Sequence, residues 1–128
     1  LREGTQIGNR AKVGNFVEMK KTSLGDGAKA SHLTYLGDAT IGENANIGAG
    51  TITCNHNGVE INRTIIGEGA YIGSGCNLVA PLNIHHGSTI ASGSTITKDI
   101  SSNVLVIARA KQIVNKNWKG PKKSITKS

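Results

Sequence analysis

Histidine and cysteine are the residues of this 128-residue chain whose spacing can be tested directly for site chemistry. His85 and His86 are adjacent, no two of the four histidines are five positions apart, and Cys54 and Cys76 lack the spacing of metal ligands. The sequence therefore predicts no metal site. A histidine can also act as a general base, because its reference pKa of about 6.5 lies close to neutral pH. Residue type alone does not choose among the four, since a lone histidine is more often structural.

Basic residues are concentrated at the C-terminal end of the chain, which carries a formal net charge of +7. Six of the 15 Lys and Arg residues fall in the last 18 positions: Lys111, Lys116, Lys119, Lys122, Lys123 and Lys127. A solvated, partly disordered tail explains this placement most simply, and contact with an anion such as a cofactor phosphate is the alternative. Nucleic-acid binding is not favoured, because the chain has only one Phe, one Trp and two Tyr for base stacking.

A six-residue repeat must position any reactive side chains. From Ile66 to Thr97 an aliphatic residue returns at every sixth position: Ile66, Ile72, Leu78, Ile84, Ile90 and Ile96. Neither a helix of 3.6 residues per turn nor an alternating strand has this period, so the pattern predicts an all-β fold, a parallel β-helix built from hexapeptide repeats. Each repeat supplies a short strand and a turn. Three repeats close one triangular coil, with the aliphatic side chains pointing inward.

The repeat is less regular before Ile66 and is interrupted once. The inward positions predicted there are Ile7, Val13, Met19, Leu24, Ala30, Leu36, Ile41 and Ile47. The period then breaks over residues 54–64, which predicts a loop that projects from the prism, with Asn57-Gly58 as a tight turn. Projecting loops commonly bind ligands, and an insertion that the fold merely tolerates is the alternative.

The regular pattern ends after Thr97. Residues 104–110, apolar apart from Arg109, predict a final strand, and 111–118 predict a short helix or an extended arm. We expect a β-helix domain over 1–110 and a basic C-terminal arm over 111–128. Because the chain begins inside the repeat, we expect it to be a piece of a longer protein. No apolar run reaches the roughly 20 residues of a membrane span and no signal peptide is evident, so we expect no membrane association and a cytoplasmic location.

Three runs are far more specific than the generic repeat: VGNFVEMKK over 13–21, SHLTYLGD over 31–38 and NIGAGTITCN over 46–55. Together they closely resemble the acetyltransferase half of bacterial GlmU, a family of bifunctional uridyltransferases and acetyltransferases. The resemblance covers roughly residues 1–110. It implies a left-handed parallel β-helix, assembled as a homotrimer with active sites between subunits. The uridyltransferase half has no counterpart in this chain, so we expect acetylation alone.

The resemblance implies a specific reaction. Acetyl would pass from acetyl-CoA to the amine of glucosamine-1-phosphate, with no metal needed. Such a transfer requires a base for the amine proton and hydrogen-bond donors for the oxyanion that develops on the thioester carbonyl. The product would lead to UDP-N-acetylglucosamine, and so to the precursors of bacterial peptidoglycan and lipopolysaccharide.

Site residues follow by the same resemblance. The base is His32, within the 31–38 run, and the sugar phosphate is bound by Arg2, Lys20, Tyr35 and Asn46. Arg2 can grip a phosphate through two parallel hydrogen bonds, whereas Lys20 is a compact point charge. The residues implied for acetyl-CoA are Asn55, His56, Ser74, Ser92 and Arg109. Backbone amides near Ser74 would bind the oxyanion, and Arg109 would bind a CoA phosphate.

Three positions depart from the family pattern. The family usually has Tyr where His56 stands and Lys where Ile61 stands. Isoleucine cannot bind phosphate, so we expect weaker affinity for the sugar phosphate unless Arg63 compensates. The third departure, Ser92 in place of a frequent Ala, has no evident consequence in the sequence.

Three other classes of protein remain open. A zinc carbonic anhydrase can share this fold, but it needs a pair of histidines five positions apart, which this chain lacks. A non-catalytic trimeric β-helix module would bind no acetyl-CoA. A related hexapeptide-repeat acyltransferase would use another amino sugar or a longer acyl chain, and competition between acetyl-CoA and longer thioesters would identify it.

Overall fold

The structure is a computed structural model that describes residues 1–121. Over these residues the protein is all-β, with parallel ladders between its strands and no helix, so no described helix is long and apolar enough to cross a membrane. The strands are β1 (Gln6–Ile7), β2 (Lys12–Lys20), β3 (Ser23–Leu24), β4 (Lys29–Gly37), β5 (Ala39–Ile41), β6 (Asn46–Ile47), β7 (Ile52–Cys54), β8 (Thr64–Ile66), β9 (Tyr71–Ile72), β10 (Asn77–Val79), β11 (Leu82–Ile84), β12 (Thr89–Ile90), β13 (Thr95–Ile96) and β14 (Leu105–Val106). The predicted parallel β-helix is confirmed.

Strand pairing divides each coil into three faces, numbered here in chain direction. The first face is the five-stranded sheet β1-β3-β5-β8-β11. β2 and β4 have nine residues each and turn the next corner, so a single sheet covers the second and third faces. On the second face β6, β9, β12 and β14 continue the stack, and on the third face β7, β10 and β13 do so. The first, second and third corners follow the faces of the same number.

An aliphatic column fills the prism. The six residues of the regular repeat from Ile66 to Ile96 are at most 2% exposed, as predicted. The predicted inward residues from Leu24 to Ile47 are buried as well. Ile7, also predicted to be inward, is 41% exposed, because β1 lies in the first coil and pairs on one side only, with β3. Burying one Leu or Ile side chain contributes roughly 1.5–3 kcal/mol, so this column is the main source of stability.

Buried hydroxyl groups lie where the chain enters the first face. Thr22, Ala39 and Thr64 occupy equivalent positions in three consecutive coils. The Thr22 hydroxyl lies 2.9 Å from the Leu36 carbonyl oxygen and 3.0 Å from that of Lys20, and it accepts the Ala39 N–H at 3.3 Å. Thr64 Oγ1 is equally buried but has no hydrogen-bond partner within residues 1–121.

The projecting loop is shorter than predicted. Cys54 ends β7 and Thr64 begins β8, so residues 55–63 leave the prism. Both flanking residues are strand residues because the adjacent coil offers each a partner in register. Within the loop His56 and Ile61 form an antiparallel bridge, which makes the loop a small hairpin around the predicted turn.

The C-terminal part differs from prediction in two ways. Of the predicted strand over 104–110 only Leu105–Val106 is a strand, since only these residues pair in register with β12. Residues 111–118 lie exposed and make one turn, closed by a 3.3 Å hydrogen bond from Trp118 N–H to the Asn115 carbonyl, so the extended arm forms rather than the helix. A helix this short is marginal without packing. The rest of the predicted arm, 122–128, lies outside the described residues.

Candidate functional site

Charged side chains gather on the third face of the first two coils. Glu18 and Lys20 flank the fully buried Met19 on β2, so both point outward. Glu18 pairs in register with Tyr35 of β4. Arg2 joins this group because its backbone N–H donates to the Met19 carbonyl at 2.8 Å. The structure thus brings three of the four predicted sugar-phosphate residues to one face.

The Arg2 guanidinium is already paired. Its Nη1 lies 2.7 Å from Glu18 Oε2, and both side chains are about half exposed. The hydrogen bond and charge of Glu18 raise the pKa of Arg2, whose guanidinium is in any case charged at neutral pH. Within one chain, the Glu18 carboxylate therefore offsets one of the two cations that a phosphate would meet on this face.

A second polar cluster lies beside the first, at the base of the loop. Asn55 Nδ2 donates to Asp38 Oδ2 at 2.8 Å and to the Tyr35 hydroxyl oxygen at 3.3 Å. Asp38 is only 6% exposed. A Cβ at Gly37 would collide with both the Tyr35 hydroxyl and the Asn55 amide, so this cluster requires glycine there. Asn55, expected at the acetyl donor, is therefore in direct contact with Tyr35, expected at the sugar phosphate.

His32 is exposed at the second corner, in line with residues expected to bind acetyl-CoA. From coil to coil this corner holds His32, Ala49, Ser74 and Ser92, and the side chain of Arg109 reaches it from the last coil. Because stacked coils lie about 4.8 Å apart, His32 and Ser92 are separated by roughly 14 Å along the prism axis. Arg109 Nη1 donates to the Ser92 carbonyl at 2.6 Å. One edge of the prism thus carries the predicted base and three of the five predicted acetyl-CoA residues.

The Ser74 amide, a candidate oxyanion donor, already has a partner. Its N–H donates to Ser92 Oγ at 3.2 Å. An alanine at position 92 would leave this amide free, so the departure from the family pattern has a structural consequence that the sequence did not reveal. A bound thioester carbonyl would compete with the Ser92 hydroxyl for the amide.

Two predicted site residues lie apart from both clusters within one chain. Asn46 is on the second face, between Lys29 and Tyr71 of the adjacent coils. His56 belongs to the hairpin, where its Nδ1 accepts the Gly58 N–H at 3.0 Å. Neither is brought to His32 or Tyr35 by a described contact.

Loop residues that bear on phosphate affinity are also separated. Ile61 is 51% exposed opposite His56 in the hairpin. Arg63 Nη2 donates to Thr40 Oγ1 at 2.9 Å, which holds it on the first face. Within a single chain Arg63 is not positioned beside Arg2 and Lys20, so compensation for Ile61 stays a prediction.

Two residues in the clusters were not identified from the sequence. Glu18 alternates with Lys20 around an inward position, which is a readable signal that both share a face. Asp38 follows Gly37 at the end of a strand, where a charged residue normally indicates a solvated turn. Its 17-residue separation from Asn55 matches the length of one early coil, and this spacing would have predicted their contact.

Comparison with known proteins identifies the family. The model "Hexapeptide repeat of succinyl-transferase" matches residues 39–62 and 63–98. A bifunctional GlmU protein from Pseudoalteromonas atlantica is 57% identical over 123 residues, which are 96% of this chain and 27% of that protein. One from Thermosipho africanus is 58% identical over 118 residues, 92% of this chain and 26% of that protein. The chain belongs to the hexapeptide-repeat part of the GlmU family.

The chain spans about a quarter of the length of the GlmU relatives that it matches. Solved structures of other proteins share the fold. PerB from Caulobacter crescentus, in complex with CoA and GDP-perosamine, has a TM-score of 0.74 at 18% identity, covering 83% of this chain and 49% of that one. The acetyltransferase domain of PglB from Neisseria gonorrhoeae, in complex with acetyl coenzyme A, also has a TM-score of 0.74, at 21% identity and the same coverages. The GlmU resemblance in the sequence is confirmed.

Proposed function

We propose that this chain transfers acetyl from acetyl-CoA to the amine of glucosamine-1-phosphate. The observation that carries the proposal is the arrangement around the second corner. There His32 is exposed next to the third face, which carries the cations Arg2 and Lys20, and it is in line with residues predicted to bind acetyl-CoA. His32 is three residues from Tyr35 of the cationic face and in line with Ser74 and Ser92. Similarity to GlmU relatives, and the acetyl-CoA-bound domain that shares the fold, support the same activity.

The proposed chemistry follows from these positions. Arg2, Lys20 and Tyr35 bind the sugar phosphate, and Asn46 lies near the amine. His32 removes a proton from the amine nitrogen as the new N–C bond forms. The C–S bond of the thioester then breaks, and CoA leaves as the thiol after taking up a proton. The Ser74 amide stabilises the charge that develops on the carbonyl oxygen.

We propose that the protein acts as a homotrimer whose sites lie between subunits. Phe16 and Leu33, next to the second corner, are 82% and 62% exposed, and the arm exposes Ile113, Val114 and Trp118. Apolar surface of this kind supports contact with further copies of the chain. A neighbouring copy would also bring Asn46, His56 or Arg63 to a site from which they are separated in one chain. Sedimentation velocity measures this directly, with a trimer expected.

The same proposal assigns the parts of the chain and their setting. Residues 1–110 form the acetyltransferase domain and 111–128 an arm, whose described part lies exposed. Asn55, His56, Ser92 and Arg109 bind the acetyl-CoA that donates the acetyl group. The setting is the bacterial cytoplasm, in the synthesis of UDP-N-acetylglucosamine for the cell envelope.

The first test is release of CoA thiol from acetyl-CoA in the presence of glucosamine-1-phosphate. We expect turnover by the parent and a loss of about 10²–10⁴-fold in kcat for His32→Ala, because proton removal is then uncatalysed. His85→Ala is the matched control, since this histidine is exposed at the first corner of a later coil. Equal activities of parent and His32→Ala would exclude His32 as the base.

The alternatives make different predictions in the same assay. A related acyltransferase would prefer a longer thioester or another amino sugar when substrates compete. A non-catalytic module would show neither turnover nor acetyl-CoA binding. A zinc enzyme would lose activity with chelators, although no group of three His, Cys, Asp or Glu side chains that could hold a metal occurs in residues 1–121.

A further inference from the structure

Asp38 has the burial of a core residue and the charge of a surface residue. It is 6% exposed, and no cation lies within salt-bridge distance of its carboxylate among residues 1–121. A carboxylate so placed requires a compensating hydrogen bond. The Asn55 amide supplies one at 2.8 Å.

The backbone of Asp38 is equally constrained. Its φ of 49° lies in the left-handed region, which is unfavourable for most residues other than Gly, Asn and Asp. Its N–H donates to the Lys20 carbonyl at 2.9 Å, and its carbonyl accepts the Thr64 N–H at 3.2 Å. Asp38 therefore connects three parts of the molecule: the third face at Lys20, the base of the loop at Asn55, and the start of the first face in the next coil at Thr64.

The direction of the hydrogen bonds around Asp38 is chemically determined. An ionised carboxylate only accepts, so it binds the NH₂ side of the Asn55 amide and fixes which way that amide faces. The second hydrogen of the same nitrogen then points to the Tyr35 hydroxyl oxygen, 3.3 Å away. Because Tyr35 accepts from Asn55, its own O–H hydrogen is left for another acceptor.

We propose that Asp38 is a positioning residue that, through Asn55, keeps the Tyr35 hydroxyl as a donor toward the oxygen of the bound sugar phosphate. This inference rests on the proposed function and names a residue that acts through two others rather than on the substrate. Without the carboxylate, the Asn55 amide can turn over and offer its oxygen to Tyr35. The phenol would then donate to Asn55, and the substrate oxygen would lose a hydrogen bond.

The proposal separates substrate affinity from stability. Asp38→Asn keeps the shape and removes the charge, and asparagine tolerates the positive φ at least as well. Removing a buried carboxylate that has no cation partner should leave thermal stability unchanged or raised. Affinity for the sugar phosphate should nevertheless fall, whereas a purely structural role would lower stability and all kinetic constants together.

The experiment compares Asp38→Asn with the parent in the full chain, measuring KM for glucosamine-1-phosphate, KM for acetyl-CoA, kcat and Tm. A hydrogen bond to a charged group predicts a rise of about 10-fold or more in the sugar-phosphate KM, with the Tm unchanged or raised. Asp26→Asn is the matched control, because this aspartate binds the Asn9 N–H at a different corner.

Coupling to Tyr35 gives the decisive measurement. In a Tyr35→Phe background, Asp38→Asn should raise the sugar-phosphate KM no further, because the hydroxyl on which it acts is gone. An equal rise in both backgrounds, or no rise in either, would overturn the role of Asp38 while leaving the proposed function intact. A parent without turnover would overturn the proposed function and this inference together.

Discussion

The first two coils and the coils that follow them solve the same geometric problem with different residues. At the second corner each of the five coils from β2 to β13 places one residue in the left-handed region: Phe16, Leu33, Gly50, Gly75 and Gly93, with φ from 44° to 77°. Glycine adopts this conformation at little cost, whereas for other L-residues it is unfavourable by roughly 1–2 kcal/mol. The last three of these five coils use glycine, while the first two carry bulky side chains that are largely exposed.

The outward residues of the third face show the same division. Stacked in register they are Glu18, Tyr35, Ile52, Asn77 and Thr95. The first two coils carry the charged and phenolic side chains, whereas Ile52, Asn77 and Thr95 in the later coils are neutral. The later coils therefore follow the repeat closely, and of the proposed site they hold the acetyl-CoA residues Ser74, Ser92 and Arg109. The earlier coils depart from the repeat at the second corner and on the third face, where the proposed base and sugar-phosphate residues lie.

The largest effect expected from this comparison concerns the buried threonine hydroxyl groups at the start of the first face. Thr22→Val should destabilise the fold by about 1–3 kcal/mol, because the Ala39 N–H and the Leu36 carbonyl lose their buried partner. Thr64→Val, the equivalent change after the loop, should be neutral or stabilising, because that hydroxyl has no described partner. Urea denaturation at a fixed protein concentration measures both. Equal losses would show that the two coils do not differ in this respect.

A smaller effect is expected at the second corner. Gly75→Leu recreates in a later coil the residue found at Leu33. A Cβ there meets no atom within 4 Å, so the cost is the backbone conformation alone, about 1–2 kcal/mol. Gly75→Asn serves as control and should cost less, since asparagine enters this region more readily. If leucine proved no worse than asparagine, exposed bulky residues at this corner would need no compensating contact.

The smallest expected effect tests the charges of the early third face. Glu18→Gln releases Arg2 from its 2.7 Å ion pair and removes an anion beside the proposed phosphate site. The KM for glucosamine-1-phosphate should fall about 2–5-fold at low ionic strength, and less at 0.5 M salt, because exposed charges are screened. Glu68→Gln, at the first corner of a later coil, is the control. A higher KM in Glu18→Gln would mean that Glu18 orients Arg2 for the phosphate.

Sequence alone predicted what depends on local period. The recurrence of Ile and Leu at every sixth residue predicted the core, because inward positions have a fixed spacing in the sequence that does not depend on contacts between coils. The loop was predicted for the same reason, and its limits were one residue too wide on each side because pairing with the next coil decides where a strand ends.

Contacts between coils were harder to predict, because they depend on the length of each coil. Asn46 pairs with Lys29, which precedes it by the length of one early coil. Tyr71 pairs with Asn46 across a longer stretch of sequence, because that stretch contains the hairpin. The cluster of Asp38, Asn55 and Tyr35 was missed although each lies within a specific motif. The Ser74–Ser92 contact was also missed, although its 18-residue separation equals three repeats of the regular pattern.

The hairpin over 55–63 does not interrupt the hydrogen bonding between coils on either side of it. The Thr64 N–H bonds to the Asp38 carbonyl at 3.2 Å, and the Ala80 N–H bonds to the Cys54 carbonyl at 3.1 Å. Both ends of the hairpin are thus held by the β-helix. Doubling the length of the hairpin would lower the free energy of unfolding by only about 0.6 kcal/mol, through the entropy of loop closure. Its sequence and length can therefore change over evolutionary time without altering the pairing of the strands in the β-helix. Side chains in the hairpin, such as those of His56 and Ile61, can therefore change while the pairing of the strands stays the same.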